Sequence, residues 1–388
     1  MRVTIGDVVY PAVTTAELRQ VQLADAETGE VIARAERLTV TQWEGSWSIE
    51  AIAPEIETAQ LGHLVQILHD RALCAGTSLI QGCEFSAREV TLKDDQFPQS
   101  LLNVQAMLEP TEAGTHLAAS FHWPQADAED QTISCEVARN YSLSPPATSV
   151  TIDTGKSAFP CRLAAGFWQP LERLGEEAEF RGHLRATISS SAQAAELQGT
   201  ISRIDLDALI SEQFPHVLSG KGLASLERLR IADGRLLSAA GTLEVNSGGR
   251  VSRSLLVAAE RHMQMKNDAG ESGPEVVPFR RLAIGFRIDG EMLRLAGSAD
   301  ANIPGVLITN HTGPILEAPL KHAVSAVAVT RVLVTDSQVQ VPATEQTRSL
   351  VRLLPVPSLA PAKAARRSHV PTRLAPASGS SADVIRER

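Results

Sequence analysis

Gly155-Lys156-Ser157 is one place where residue type and spacing could do chemistry, because a glycine-lysine-serine run is the heart of a phosphate loop. That loop also needs a glycine five positions before the Gly-Lys pair, and Val150 stands there. Phe159-Pro160 follows where the loop's helix should be under way. Nucleotide binding is therefore not expected. Asp205-Leu206-Asp207 offers two carboxylates at metal-ligand spacing, but both sit where a short helix begins. Anions there interact favourably with the helix dipole, so capping is the expected role.

The 10 histidines include no His-Glu-x-x-His arrangement. His63 and His69 flank the apolar face of one helical segment, and His116 and His122 share a face of one strand. None has partners that sequence spacing can name as metal ligands. The 4 cysteines are Cys74, Cys83, Cys135 and Cys161, with no Cys-x-x-Cys pair. Contexts such as Ile133-Ser134-Cys135-Glu136-Val137 point to buried free thiols. No Gly-x-Ser-x-Gly elbow occurs, and Asn310-His311-Thr312 is a glycosylation sequon with no secretory signal before it. The expectation is a chain without catalytic residues, metal ligands or cofactor.

These residues must be positioned by a chain of 388 residues, long enough for two or three domains. A net charge of −9 disfavours a polyanionic partner, and an aromatic content of 4% leaves little for base stacking, so nucleic acid is not an expected partner. No apolar run approaches the about 18–20 residues that span a bilayer. The opening Met1-Arg-Val-Thr-Ile-Gly-Asp-Val-Val lacks the charged-apolar-small order of a signal peptide, which points to a cytoplasmic chain if Met1 is the true start.

Alternation dominates the pattern. Leu282, Ile284, Phe286 and Ile288 take one face of a strand, Asp289-Gly290 reverses the chain, and Leu293 and Leu295 resume the pattern. Similar strands recur at intervals of about 8–12 residues, as in an antiparallel meander. Helical periodicity interrupts at Leu61, Leu64, Val65 and Leu68, near 160–174, and at Val251, Leu255 and Ala259. The fold expected is β-rich α+β: twisted antiparallel meander sheets, groove-like, with interspersed amphipathic helices. Boundaries are expected at the Pro145-Pro146 pair and near Pro355, giving units 1–145 and 146–354 and a disordered tail 355–388 rich in Pro, Ala, Ser and Arg.

Three segments carry a family resemblance. They are LADAETGEVIARAERLTV with its Asp25–Glu30 turn, LQGTISRIDLDALI at 197–210, and HVLSGKGLASLERLRIADGRLLSAAGTLEV after it. Together they resemble the AsmA/TamB-like superfamily of bacterial cell-envelope proteins, loosely and over most of 1–355. The resemblance implies a β-groove whose apolar face shelters lipid or supports membrane assembly. It also implies an N-terminal anchor that this chain does not display, and hence a location on the periplasmic side of the inner membrane. On that basis the expected function is non-catalytic, with lipid acyl chains or envelope proteins as partners and no nucleotide. Leu282, Ile284, Phe286 and Ile288 are then the lipid-facing residues. The alternatives are a closed-core interaction module without a ligand, and an enzyme whose site is not visible in sequence.

Overall fold

In the computed structural model the described residues are 1–74, 82–94, 99–124, 132–165, 169–270, 272–319 and 323–334. The chain opens with β1 (Arg2–Thr4) and β2 (Asp7–Ala12), which both pair with β3 (Thr15–Ala24). The Asp25–Glu30 turn then leads to β4 (Val31–Trp43). Asp25 closes that turn, because its Oδ1 accepts from the N–H groups of Glu27 and Thr28 at 2.7 and 2.8 Å. These bonds hold its carboxyl below the usual aspartate value. β5 (Ser46–Ile52) and β6 (Glu55–Glu57) both follow on β4.

The meander is broken once at this point. β7 (Cys83–Lys93) runs parallel to β5 and β6, while every other pairing among the described residues is antiparallel. Parallel neighbours need a crossover, and here it is helical. A 3₁₀ turn (Thr58–Gln60) leads into α1 (Leu61–Leu68) and then a π-helical turn, His69–Leu73. Leu61 packs against a core of Leu92, Trp123, Ile133 and Leu163, but Val65 and Leu68 stay 45% and 44% exposed. The Thr58 hydroxyl does not cap the helix.

Antiparallel order then resumes through β8 (Gln99–Thr111), β9 (Gly114–His122), β10 (Thr132–Asn140) and β11 (Ala147–Asp153). β12 (Phe159–Pro160) and α2 (Cys161–Ala164) precede β13 (Glu179–Ser189), which pairs with both β11 and β12. The ladder therefore continues across residue 145 without a gap. The apolar cores do not: α2 sends Leu163 to the core above and Cys161 to a second, larger one.

β14 (Gln193–Asp205) is followed by a π-helical turn at Asp207–Ser211 and the short β15 (Leu218–Ser219). β16 (Lys221–Ala232) and β17 (Arg235–Val245) continue the main sheet. β18 (Gly249–Ser252) joins β15 in a separate 3-stranded sheet. α3 (Arg253–Met263) starts at Ser252, whose hydroxyl accepts from the Leu255 N–H, and buries Leu256, Ala259 and Met263. β19 (Lys266–Asn267) comes next, and β20 (Val276–Phe279) completes the small sheet.

β21 (Arg281–Asp289) and β22 (Met292–Gly297) form the expected hairpin. Asp289 stays in register opposite Met292, so the two turn residues are Gly290 and Glu291, with Gly290 at φ +55°. This is the turn that asks for glycine at its first central position. β23 (Val306–Thr309), β24 (Pro314–Glu317), β25 (Val324–Ser325) and α4 (Val327–Leu333) finish the described chain. The result is a 22-stranded, mostly antiparallel sheet with a few short helices. The tail 355–388 lies outside the described residues.

Candidate functional site

The π-helical turn at the end of the crossover brings together three side chains of different ligand chemistry. In an α-helix a residue five positions on lies well off the starting face, because each residue advances about 100°. Here the Cys74 N–H reaches the His69 carbonyl at 2.9 Å, the i to i+5 bond of a π-helix. The wider turn swings Cys74 under His69. Asp70 Oδ1 lies 2.9 Å from His69 Nδ1, and Cys74 Sγ lies 3.7 Å from Nδ1 and 3.8 Å from Nε2. One ligand atom from each residue falls within 4.8 Å of the other two.

The sheet beneath holds this turn in place. His69 Nε2 is 3.1 Å from Oγ1 of Thr148 on β11, a residue only 2% exposed. Arg139 on β10 donates from Nη1 to the same Oγ1 at 2.9 Å. Thr148 and Arg139 are register partners across β10 and β11, so their side chains share a face. The Tyr141 hydroxyl donates to the Leu73 carbonyl, clamping the last residue of the π-turn. Gly114, opposite Asn140, lets the strands close at this end, since a Cβ there would lie 1.7 Å from the Arg139 carbonyl oxygen.

Two chemistries compete for such a cluster. A cysteine–histidine nucleophile needs the thiol on the axis of a ring lone pair. A sulfur almost equidistant from both ring nitrogens lies on neither axis, because those lone pairs diverge. A metal ion also sits on a ring lone-pair axis, but it draws in a third ligand, which Asp70 supplies beside Nδ1. For tetrahedral zinc, bond lengths of about 2.0–2.3 Å put the nitrogen about 3.4 Å from oxygen and about 3.6 Å from sulfur. The 3.7 Å separation of Nδ1 from Sγ is of that order, but Sγ stands off the Nδ1 axis, so the Cys74 side chain has to rotate toward it, and the 2.9 Å separation of Nδ1 from Oδ1 needs Asp70 to move outward by about half an ångström. Asp70 is 58% exposed on its side chain and has room to do so. Thr148 supplies the outer acceptor that a metal-bound histidine normally uses for its second N–H.

Sequence spacing left His69 without nameable partners, and the structure supplies Asp70, Cys74 and Thr148. His63 instead lies 3.3 Å from Asp25 Oδ2. His122 Nε2 lies 3.1 Å from Thr132 Oγ1, and His116 stays apart from it on β9. Asp205 does serve the turn after β14, accepting from the N–H groups of Asp207 and Ala208 at 3.0 and 3.4 Å while its Oδ2 pairs with Lys221 at 3.0 Å. Burial acts to raise its pKa, but Lys221 and the two N–H groups outweigh that and hold it low. Lys156 follows Gly155 in a turn in which the Gly155 N–H bonds the Asp153 carboxylate. Leu282 is buried in the larger core, and Ile284, Phe286 and Ile288 are partly buried against it. The cavity of about 290 Å³ lined by His262, Gln264, Ser325 and Arg331 gathers no comparable ligand set.

No protein-family model matches the chain, and no curated protein or solved structure is found similar to it. The AsmA/TamB resemblance is neither supported nor excluded by these comparisons. Two expectations are corrected. The chain was expected to be no enzyme, and the His69–Asp70–Cys74 cluster overturns that exclusion because it presents ligands of a catalytic type. The terms β-groove and membrane assembly, which the resemblance supplied, are also corrected. Among the described residues no helix is long and apolar enough to cross a membrane, and the strand pairings establish a sheet without outlining a groove or barrel.

Proposed function

We propose that this protein is a metal-dependent enzyme of the hydrolytic class, its ion held by His69 Nδ1, Asp70 Oδ1 and Cys74 Sγ. The observation that carries the reading is the π-turn, which gathers nitrogen, oxygen and sulfur ligands at one point above a buried threonine. This mixed donor set suits zinc better than the oxygen-seeking calcium or magnesium. A set of three protein ligands would leave a zinc ion open to water, as in catalytic rather than structural sites. Held there by His69, Asp70 and Cys74, such an ion would supply an activated water and a Lewis acid for a substrate oxygen.

The chain's own residues hold and orient. His69 would hold the ion through the Nδ1 lone pair, with its proton on Nε2 and donated to Thr148 Oγ1. Tyr141 keeps the π-turn closed through Leu73. The exposed side of Asp70 leaves an approach for substrate.

Cobalt(II) substitution tests the reading. One cobalt should bind per chain with a thiolate-to-metal absorption band, and His69→Ala and Cys74→Ala should each abolish that band. The zinc-loaded protein should hydrolyse activated esters or phosphoesters, and His69→Ala should not. A protein that takes up no stoichiometric cobalt or zinc ends the proposal.

A further inference from the structure

We infer that Arg139 is the anion-binding arm of this site, so that the substrate carries an oxyanion, phosphate or carboxylate, a short distance from the reacting centre. The inference rests on the metal-centre reading for what it calls the reacting centre, but not for the anion site itself.

Arg139 is half-buried and has no carboxylate partner among the described residues. Other arginines along the sheet do: Arg203 pairs with Glu179 at 3.2 Å, Arg228 with Glu196 at 2.9 Å and Arg287 with Glu227 at 3.8 Å. What Arg139 has instead is the neutral Thr148 hydroxyl and the ring of Tyr141, whose centroid lies 5.9 Å from the guanidinium carbon. Its Nε is buried without an acceptor. A guanidinium always carries its charge, and taking it partly out of water without a counter-ion is costly. Nη2 makes no hydrogen bond among the described residues and is the donor left for an incoming oxygen, the buried Nε being closed to it.

Buried Nε atoms without acceptors also occur at Arg37 and Arg281. Arg139 differs from these in sharing Thr148 Oγ1 with His69. Two hydrogen bonds, of 2.9 and 3.1 Å, therefore separate the guanidinium from the imidazole. That arrangement leaves Nδ1, and an ion on it, on the side of the ring away from the bridge. It suits a substrate whose anionic group is anchored by Arg139 while a different bond is presented to the ion. The net charge of −9 would repel an extended polyanion, so a small anionic substrate fits better than nucleic acid.

Calorimetric titration of the full chain with inorganic phosphate, and separately with acetate, with and without zinc, tests this. One of the two anions should bind, and Arg139→Gln should weaken it by at least about tenfold whether or not zinc is present. Arg139→Lys keeps the charge and loses the planar fork, so it should fall between. If Arg139→Gln does not fold, Arg139→Lys carries the comparison. Unchanged anion affinity in a folded variant, or no binding of either anion to the wild type, overturns the inference. Arg139-dependent anion binding without any zinc binding would uphold the anion site and remove the metal centre.

Discussion

The Nε2 atom of His69 lies 3.1 Å from Oγ1 of Thr148, 79 residues further along the chain. The histidine comes from the helical crossover and the threonine from β11, in the middle of the sheet. The contact ties the parallel step of the meander, the only one among the described residues, to strands that follow it in the chain. It also fixes which imidazole nitrogen is free to face Asp70.

Thr148→Val keeps the shape of a residue that is 2% exposed and removes its acceptor. Zinc affinity is expected to fall by about 10–100-fold, the usual cost of losing the outer partner of a ligating histidine. Competition with a chromophoric chelator measures it. Affinity equal to wild type in a folded Thr148→Val protein would mean that the threonine does not orient His69.

Gly182 and Gly199 face each other across β13 and β14, at φ +152° and +143°. A Cβ on Gly182 would lie 2.1 Å from the Gln198 carbonyl oxygen, and one on Gly199 would lie 2.2 Å from that of Arg181. Backbone on one strand cannot yield without parting the ladder. Either glycine-to-alanine change should destabilise the chain by about 3–5 kcal/mol in urea unfolding, the upper range for single substitutions. A loss under about 1 kcal/mol would show that the strands separate here at little cost.

The four thiols should react in a set order. Burial pushes the Cys161 thiol up to about 11, with Glu179 adding to the shift, and burial also raises Cys83 and Cys135. Cys74 is half-buried beside the exposed Asp70 carboxylate. Iodoacetamide at pH 8 should modify native Cys161 last, and zinc should protect Cys74 alone. Peptide mapping after timed quenching gives the order. Early labelling of Cys161 would contradict it.

His216 is 2% exposed, with Nδ1 bonded to Ser254 Oγ at 2.9 Å. Burial lowers its pKa from the ordinary 6.5, with the Val332 backbone acting in the opposite sense. The unfolded chain therefore takes up the proton first as pH falls. Stability should be full above pH 6.5, decline as pH falls from there through the lower folded-state pKa, and show no further loss from this group beyond it. The Tm of wild type against His216→Gln across pH 4–8 tests the sign. An identical slope in both proteins would exclude His216 as its source.

Local pattern carried much of the fold. Strands such as β21 repeat every two residues, and the apolar positions needed no distant partner to be recognised. The Ser252 cap and the buried face of α3 follow the same local logic. The hairpin was legible at Gly290, though the turn sits one residue later than an Asp-Gly pair would place it. The exposed Val65 and Leu68 show where local logic stopped, because periodicity predicts a face but not what covers it.

The alternation of residues by itself determined that this chain is a mostly antiparallel meander, since side-chain direction in a strand depends only on its neighbours. Only the tertiary structure decided the site. An α-helical wheel separates Cys74 from His69, and the π-turn that unites them is fixed by packing against β9 and β11 and by Tyr141 gripping Leu73. Thr148 and Arg139 reach the same point through strand register, which is settled when the whole sheet forms and leaves no mark in the spacing of the residues themselves.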